Sequence, residues 1–287
     1  MDTPAGHDQN ADQIAYWNGP GGQRWADRQA AQDILLAPVL DVLIDRAKLK
    51  TGERVIDVGC GSGATTIAFA QKVGPSGHVF GIDVSGPMLA RARASAPKEE
   101  LPVDFVQADA TVYPFDPASL DLLASRFGVM FFADPALSFA NIRKALRPSG
   151  RLAFACWREP RENPFFMAPL QAAYKHVPKL PQQGPEDPGP FAFASVERVR
   201  RILAKAGFTG IAMEPYPLSL DAAIGHGLDG AVQGSLEIGP VSRALEGQPD
   251  EIRAAVAQSI REALAPFAKG DTVLLPASIW IVTARAS

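Results

Sequence analysis

An α/β chain built on a mostly parallel sheet is what the sequence predicts, on three observations. Short β-branched runs alternate with stretches of helical periodicity between residues 54 and 157, and a glycine cluster joins the first strand to its helix. No apolar run approaches the eighteen or so residues of a membrane span. Such alternation implies right-handed crossovers and helices on both faces of the sheet.

The elements follow in order. Residues 33 to 49 carry apolar side chains at helical spacing, closed by Lys50, Thr51 and Gly52. Arg54 to Val58 reads as a strand and Thr65 to Val73 as a helix; His78 to Val84 is a strand and Pro87 to Ala96 a helix; Val103 to Ala108 is a strand. Leu120 to Phe127 is the next strand, then a helix over Pro135 to Leu146, a turn over Arg147 to Gly150 and a strand from Arg151 to Trp157. After Trp157 the rhythm breaks. Residues 177 to 192 hold five prolines and are expected to form a surface loop. Ser195 to Ala206 is an amphipathic helix with a capping serine and Gly207 as its stop, while Phe208 to Leu220 and Thr272 to Ala284 read as strands flanking a helical stretch, notably Glu251 to Phe267. The division expected is a helical amino-terminal lid over 1–49, a cofactor-binding core over 50–157, a proline-rich cap over 158–194 and the remainder of the sheet over 195–287, with a helical insertion at about 221–270.

Composition excludes several classes. The 287 residues hold 28 Lys+Arg against 31 Asp+Glu, a net charge of −3, and 47% are hydrophobic. That is ordinary for a soluble globular protein. The basic residues are scattered, which argues against a phosphate-neutralising nucleic-acid binder. Two cysteines, Cys60 and Cys156, sit in apolar runs and form neither a disulfide framework nor a metal set. Met1 to Asn10 is polar and has no leader pattern, so a cytoplasmic protein is expected.

The strongest signal is Val55-Ile56-Asp57-Val58-Gly59-Cys60-Gly61-Ser62-Gly63. Alternate glycines between a buried strand and a helix let the backbone turn tightly and approach a ligand closely. Two ligand classes fit. Gly59, Gly61 and Ala64 satisfy a loose dinucleotide fingerprint, so a nicotinamide or flavin cofactor has to be weighed. Asp57 separates the two, because a carboxylate beside a pyrophosphate is costly whereas one beside an ammonium and a sulfonium is favourable. S-adenosylmethionine has that second charge pattern. Asp83, 20 residues after Gly63, ends the second strand where it can accept from both ribose hydroxyls, or else cap the helix that begins near Ser85. Asp109 is a third acid at a third strand end, positioned to accept from an adenine amino group.

With these residues in view, the chain resembles the class I S-adenosylmethionine-dependent methyltransferases of the small-molecule type, in the general style of the ubiquinone and menaquinone C-methyltransferases. The motifs that carry the resemblance are VIDVGCGSG, FGIDVSGPMLARAR, VQADATVYPF, LDLLASRFGVMFFADP and LRPSGRLAFACW, dense over roughly residues 50 to 160. The resemblance implies a Rossmann-like sheet of seven strands with the last antiparallel, plus helical cap and lid insertions. It implies that Asp57, Gly59, Gly61 and Gly63 meet the methionine end of the cofactor, that Asp83 holds the ribose, that Val84 and Met88 lie against the adenine with Asp109 and Ala110, and that Ser125 and Arg126 face the methyl group and the acceptor. Ser-Arg-Phe-Gly at the fourth motif is unlike the Asn-Pro-Pro-Tyr signature of amino-directed enzymes.

Trp17 and Trp25 belong to a segment that either packs on the domain or forms a lid over the cofactor, which puts Trp25 among the candidate cofactor contacts. Candidate catalytic residues are Arg126, His176 and His226; His7 and His78 are set aside, and no metal site is indicated. The reading is methyl transfer to a small-molecule acceptor, with no nucleic-acid partner and no membrane span. A nicotinamide oxidoreductase and a non-catalytic S-adenosylmethionine-binding module are the alternatives.

Overall fold

Four helices precede the first strand: α1 (Ala11–Asn18), α2 (Pro20–Asp27), α3 (Gln29–Leu35) and α4 (Ala37–Ala47). The computed structural model describes residues 10–97, 101–182, 184 and 186–286, so His7 lies outside the described residues. Where the sequence suggests one helix over 33–49, the chain breaks between Leu35 and Ala37. Pro38 has no N–H to donate and sits in the first turn of α4, where that donor would be unpaired in any case.

The alternating part follows as β1 (Arg54–Val58), α5 (Ala64–Val73), β2 (His78–Asp83), α6 (Gly86–Ser95), β3 (Val103–Gln107), β4 (Leu120–Arg126), α7 (Pro135–Ala145) and β5 (Leu146–Trp157). Pairing between β4 and β5 jumps from Leu120↔Leu146 to Leu122↔Arg151, so the expected turn at Arg147–Gly150 is an irregularity within a longer strand. The chain continues with α8 (Pro164–Ala173), α9 (Val196–Lys205), β6 (Thr209–Asp221), α10 (Gly227–Glu237), α11 (Pro240–Ala244), α12 (Asp250–Leu264), β7 (Ala268–Lys269) and β8 (Thr272–Arg285). Along the main sheet the order is β3-β2-β1-β4-β5-β8-β6, with the two-residue β7 paired only to β8. β8 runs antiparallel to both neighbours, and β1 to β5 are parallel.

The pleat sends alternate side chains to opposite faces. Val55, Leu122 and Ala124 pack with Leu43, Phe69 and Val73 under α4 and α5, while Ile56 and Leu123 pack with Phe139, Ile142, Val199 and Leu203 under α7 and α9. Each such fully buried Val, Leu, Ile or Phe side chain contributes about 2 kcal/mol. A separate apolar cluster joins α8, α10, α11 and α12 to the start of β8 through Leu170, Val232, Val241, Ile260 and Leu275. It forms a helical cap above the sheet edge where β1, β2 and β4 end.

The proline-rich loop departs from expectation. Its second half turns inward, with the Gly189 N–H donating to the Met130 carbonyl at 3.1 Å and Ala192, Phe193 and Ala194 buried. Phe191 and Phe193 supply apolar area that draws the segment into the core despite its prolines.

Candidate active site

The glycine loop is fixed by close contact. Gly59, Gly61 and Gly63 have φ of 67°, 54° and 87°, a region that side chains with a Cβ disfavour. A Cβ on Gly59 would lie 2.6 Å from the Gly128 Cα, and one on Gly61 would lie 2.6 Å from the Met88 Cε. The loop after β1 is thereby pressed against the segment after β4, and Ser125 Oγ ties them further by donating to the Val58 carbonyl at 2.7 Å and accepting from the Gly128 N–H at 3.1 Å.

Asp83 and Asp109 stand on the wall of a cavity of about 1000 Å³ at this edge. Asp83 accepts from the Gly61 N–H and from the Ser85 N–H, both at 2.8 Å, one on each oxygen. Each oxygen retains a second lone pair. Ser85 caps α6 with its own hydroxyl, so Asp83 does not act as the cap. Burial pushes the Asp83 carboxyl above its usual range, against the backbone hydrogen bonds. Asp109 accepts from the Asn10 amide at 2.7 Å and the Thr111 N–H at 2.8 Å.

Asp57 differs from its expected role. It is fully buried and absent from the cavity wall; its Oδ2 accepts from the Thr66 hydroxyl at 2.7 Å and its Oδ1 has no hydrogen-bond partner among the described residues. Desolvation pushes it up to about 7, opposed by Thr66 and by the charge of Arg126. The β-strand period is the reason: Asp57 is paired to Gly81 and Ala124 inside the sheet, and the turn to the cavity begins only at Val58. Gly63 and Ser125 are likewise absent from the wall, since Gly63 caps α5 and Ser125 serves as the tie just described.

Val84, Met88, Ala110, Arg126, Gly59 and Gly61 do line the cavity, as does Trp25. The amino-terminal helices cross its mouth. The Trp17 carbonyl accepts from Ser85 Oγ at 2.7 Å, the Asn18 amide donates to the Val84 carbonyl at 2.9 Å and its oxygen accepts from the Gly86 N–H at 3.0 Å. Trp17 is edge-on to Trp25 and to Phe131.

Beyond the glycine loop the same cavity continues between β4, β5, α8, residues 188–191 and α10–α11. Here the wall is aromatic. Phe127 and Trp157 stack with ring centroids 4.2 Å apart and planes 3° from parallel, and Phe166 stands edge-on to Trp157 and to Phe191. Phe127 holds φ at 67°, an uncommon conformation for a bulky residue and one that costs of order 1 to 3 kcal/mol.

The histidine candidates lie elsewhere. His176 bonds Ser259 at 2.7 Å, and His226 is the residue before α10; neither is on the cavity wall. His78 pairs with Asp104 at 3.1 Å at the opposite end of the sheet. Both candidates are exposed, and among the described residues only His176 has its ring engaged, by Ser259. Among the described residues no group of histidine, cysteine and acid could hold a metal ion.

Residues 55–150 match the family model of a methyltransferase domain. Over those residues the chain is similar to the methyltransferase domain family. An aklanonic acid methyltransferase from a Streptomyces species is 37% identical over 113 residues, 39% of this chain and 51% of that protein; the chain thus spans about half of that relative's length. A demethylmenaquinone methyltransferase of Thermus thermophilus is 28% identical over 183 residues, covering 58% of this chain and 79% of that protein. Among solved structures, the YcgJ protein of Bacillus subtilis superposes with a TM-score of 0.56 at 17% identity, over 86% of this chain and 97% of that one. A phosphoethanolamine N-methyltransferase 2 of Haemonchus contortus, solved with phosphomonomethylethanolamine and S-adenosylhomocysteine, gives 0.52 at 19% identity, over 86% of this chain and 52% of its own. These structures share the fold.

Sequence reasoning missed several residues that shape the methyltransferase domain's cavity. Asn10 and Asn18 bind the second and third strand ends from the amino-terminal helices, and their only signal was polarity beside an aromatic run. Phe127, Trp157, Phe166 and Phe191 read as core by hydropathy, and only the topology brings them around one space.

Proposed function

We propose that the chain transfers the methyl group of S-adenosylmethionine to a small, largely apolar acceptor. The observation that carries this reading is the single cavity that joins an acid-tipped, glycine-floored edge to an aromatic chamber. The first half suits a nucleoside with a cationic arm. Asp83 keeps lone pairs for two ribose hydroxyls, Val84 and Met88 offer apolar contact to a base, and Asp109 with Ala110 lies where an amino group would be received. A dinucleotide suits it less well. Its pyrophosphate needs free loop N–H groups, and the Gly61 N–H is already given to Asp83. The buried Asp57 does not face the cavity and adds nothing to the distinction.

Bound there, S-adenosylmethionine supplies a methyl group made electrophilic by its sulfonium. The protein's own part is to align and to exclude water. Trp17 and Trp25 cover the nucleoside half, and Phe127 with Trp157 forms a rigid floor for the acceptor beside the glycine loop. None of the three described histidines reaches the wall, so proton abstraction by an imidazole is not part of the proposal. Among the described residues no helix is long and apolar enough to cross a membrane.

Calorimetric titration with S-adenosylhomocysteine and with NADH tests the cofactor. Binding of the first and not the second is expected, and the reverse outcome would end the methyltransferase reading. Radiolabelled methyl transfer across a panel of small aromatic acceptors then tests turnover.

A further inference from the structure

Arg126 is a buried cation on the cavity wall whose one ion-pair partner among the described residues, Asp33, lies at the limit of contact. Its side chain is 13% exposed. Nη1 donates to the Leu36 carbonyl at 3.4 Å, and Nη2 lies 4.0 Å from the Asp33 carboxylate, beyond hydrogen-bond distance. Among the described residues no other hydrogen bond takes up the remaining N–H groups of a guanidinium that carries five. Burial pulls its pKa below the usual arginine value, with Asp33 and Asp57 acting in the opposite sense, so the charge is held in a poorly solvated place.

Its position is also set. Arg126 ends β4, one residue after Ser125, which is tied to Val58, and two before Gly128, which touches Gly59. The guanidinium therefore stands where the nucleoside half of the cavity meets the aromatic half. The charge distribution changes sign there. Asp83 and Asp109 mark the nucleoside half, whereas Arg126, Lys179 and Arg243 line the remainder; of the other charged wall residues, Arg28 is paired with Glu237 at 2.8 Å and Glu246 with Arg24 at 3.0 Å.

We infer that the acceptor is a flat, ring-bearing molecule carrying an anionic oxygen, and that Arg126 is the residue that holds this oxygen. This deepens the methyl-transfer reading and rests on it. The stacked Phe127 and Trp157 receive the ring, and the planar fork of Arg126 matches a carboxylate, an enolate or a phenolate. An acceptor that enters already ionised needs no protein base, which agrees with a wall that no described histidine reaches. Arg126 would be a positioning and specificity-determining residue for the acceptor, with no part in holding the nucleoside.

The test uses the full chain saturated with S-adenosylhomocysteine and two matched probes, 2-naphthoate and the neutral 2-naphthamide, measured by calorimetry. Naphthoate is expected to bind at least ten-fold more tightly than naphthamide, the effect of one charge-assisted contact. In Arg126→Gln that preference should vanish while affinity for S-adenosylhomocysteine stays within about three-fold; Arg126→Lys, which keeps the charge, should retain part of it and guards against a folding failure in the first variant. A third probe, 2-naphthol, separates the sources: a naphtholate absorption band on binding at pH 7.5 assigns an enolate or phenolate, and its absence with strong naphthoate binding assigns a carboxylate. Equal binding of naphthoate and naphthamide to the wild-type chain, or a preference that survives in Arg126→Gln, overturns the inference and leaves methyl transfer standing. Failure of the wild-type chain to bind S-adenosylhomocysteine overturns the underlying reading instead.

Discussion

Replacing Asp57 with asparagine should make the protein more stable at neutral pH. The carboxyl is fully buried, Thr66 satisfies one oxygen and the other has no hydrogen-bond partner among the described residues, so desolvation, helped by the charge of Asp83, raises it from 3.8 to about 7. A group whose folded value lies above its unfolded value contributes stability that is fully present below the unfolded value and is lost as pH rises through the folded one. The window here runs from about pH 4 to about pH 7. A gap of about three pH units at about 1.4 kcal/mol each sets a ceiling of about 4 kcal/mol. Asparagine has the same shape, its oxygen accepts the Thr66 hydroxyl, and it does not titrate. Exposed acids such as Glu186 and Glu214, held below their usual range by arginines, titrate alike in both proteins and cancel in the difference. Urea unfolding of wild type and Asp57→Asn from pH 4 to pH 8 should show the variant's advantage growing by about 2 to 4 kcal/mol up to neutrality. Parallel curves would mean that Asp57 is solvated or otherwise partnered, and the account of its burial would be wrong.

Two further outcomes are expected. Asp83→Ala should weaken S-adenosylhomocysteine binding by about 2 to 4 kcal/mol and also lower the melting temperature, because the Gly61 and Ser85 N–H groups lose their acceptor; unchanged binding and unchanged melting would refute the dual role. In Gly22→Ala the new Cβ would lie 1.9 Å from the Trp17 carbonyl oxygen and 2.8 Å from Ser85 Oγ, so the variant should lose the hydrogen-exchange protection that S-adenosylhomocysteine is expected to confer on residues 14–30; an identical exchange pattern in variant and wild type would count against closure by this segment.

Local chemistry made the parallel strands and the glycine loop legible. Val55, Ile56 and Val58 are β-branched beside three glycines, a pattern that few other structures use, and Asp83 and Asp109 follow at strand ends. The position of Asp57 was not legible at the same level, because one residue's shift along a strand decides between the sheet interior and the cavity, and no local signal marks where the strand stops. The inward course of residues 188–194 was hidden by their prolines, which report backbone restriction and not burial. His176 and His226 became candidates because they fall in segments expected to cap the pocket, and whether such a side chain faces the cavity or, as both do, the solvent has no local sequence signal. The aromatic chamber depends on residues 127, 157, 166 and 191, whose proximity comes from strand order and the α8 crossing, both long-range properties.

The contact between Gly59 and Gly128 bears on how such a protein can change its acceptor. Two stretches of backbone, one from the nucleoside floor and one leading out of β4, touch where neither has a side chain. A mutation at either glycine therefore pushes the other stretch, and reshaping the acceptor chamber through residues 125–128 would disturb the nucleoside floor at the same time. The chamber's opposite walls, α8, the segment around Phe191 and the α10–α11 pair, have no such tie to the glycine loop among the described residues. Variation in acceptor size is thus free to accumulate on the cap while the floor stays constant, and a library aimed at new acceptors would do best to leave Gly59 and Gly128 untouched and to vary the cap.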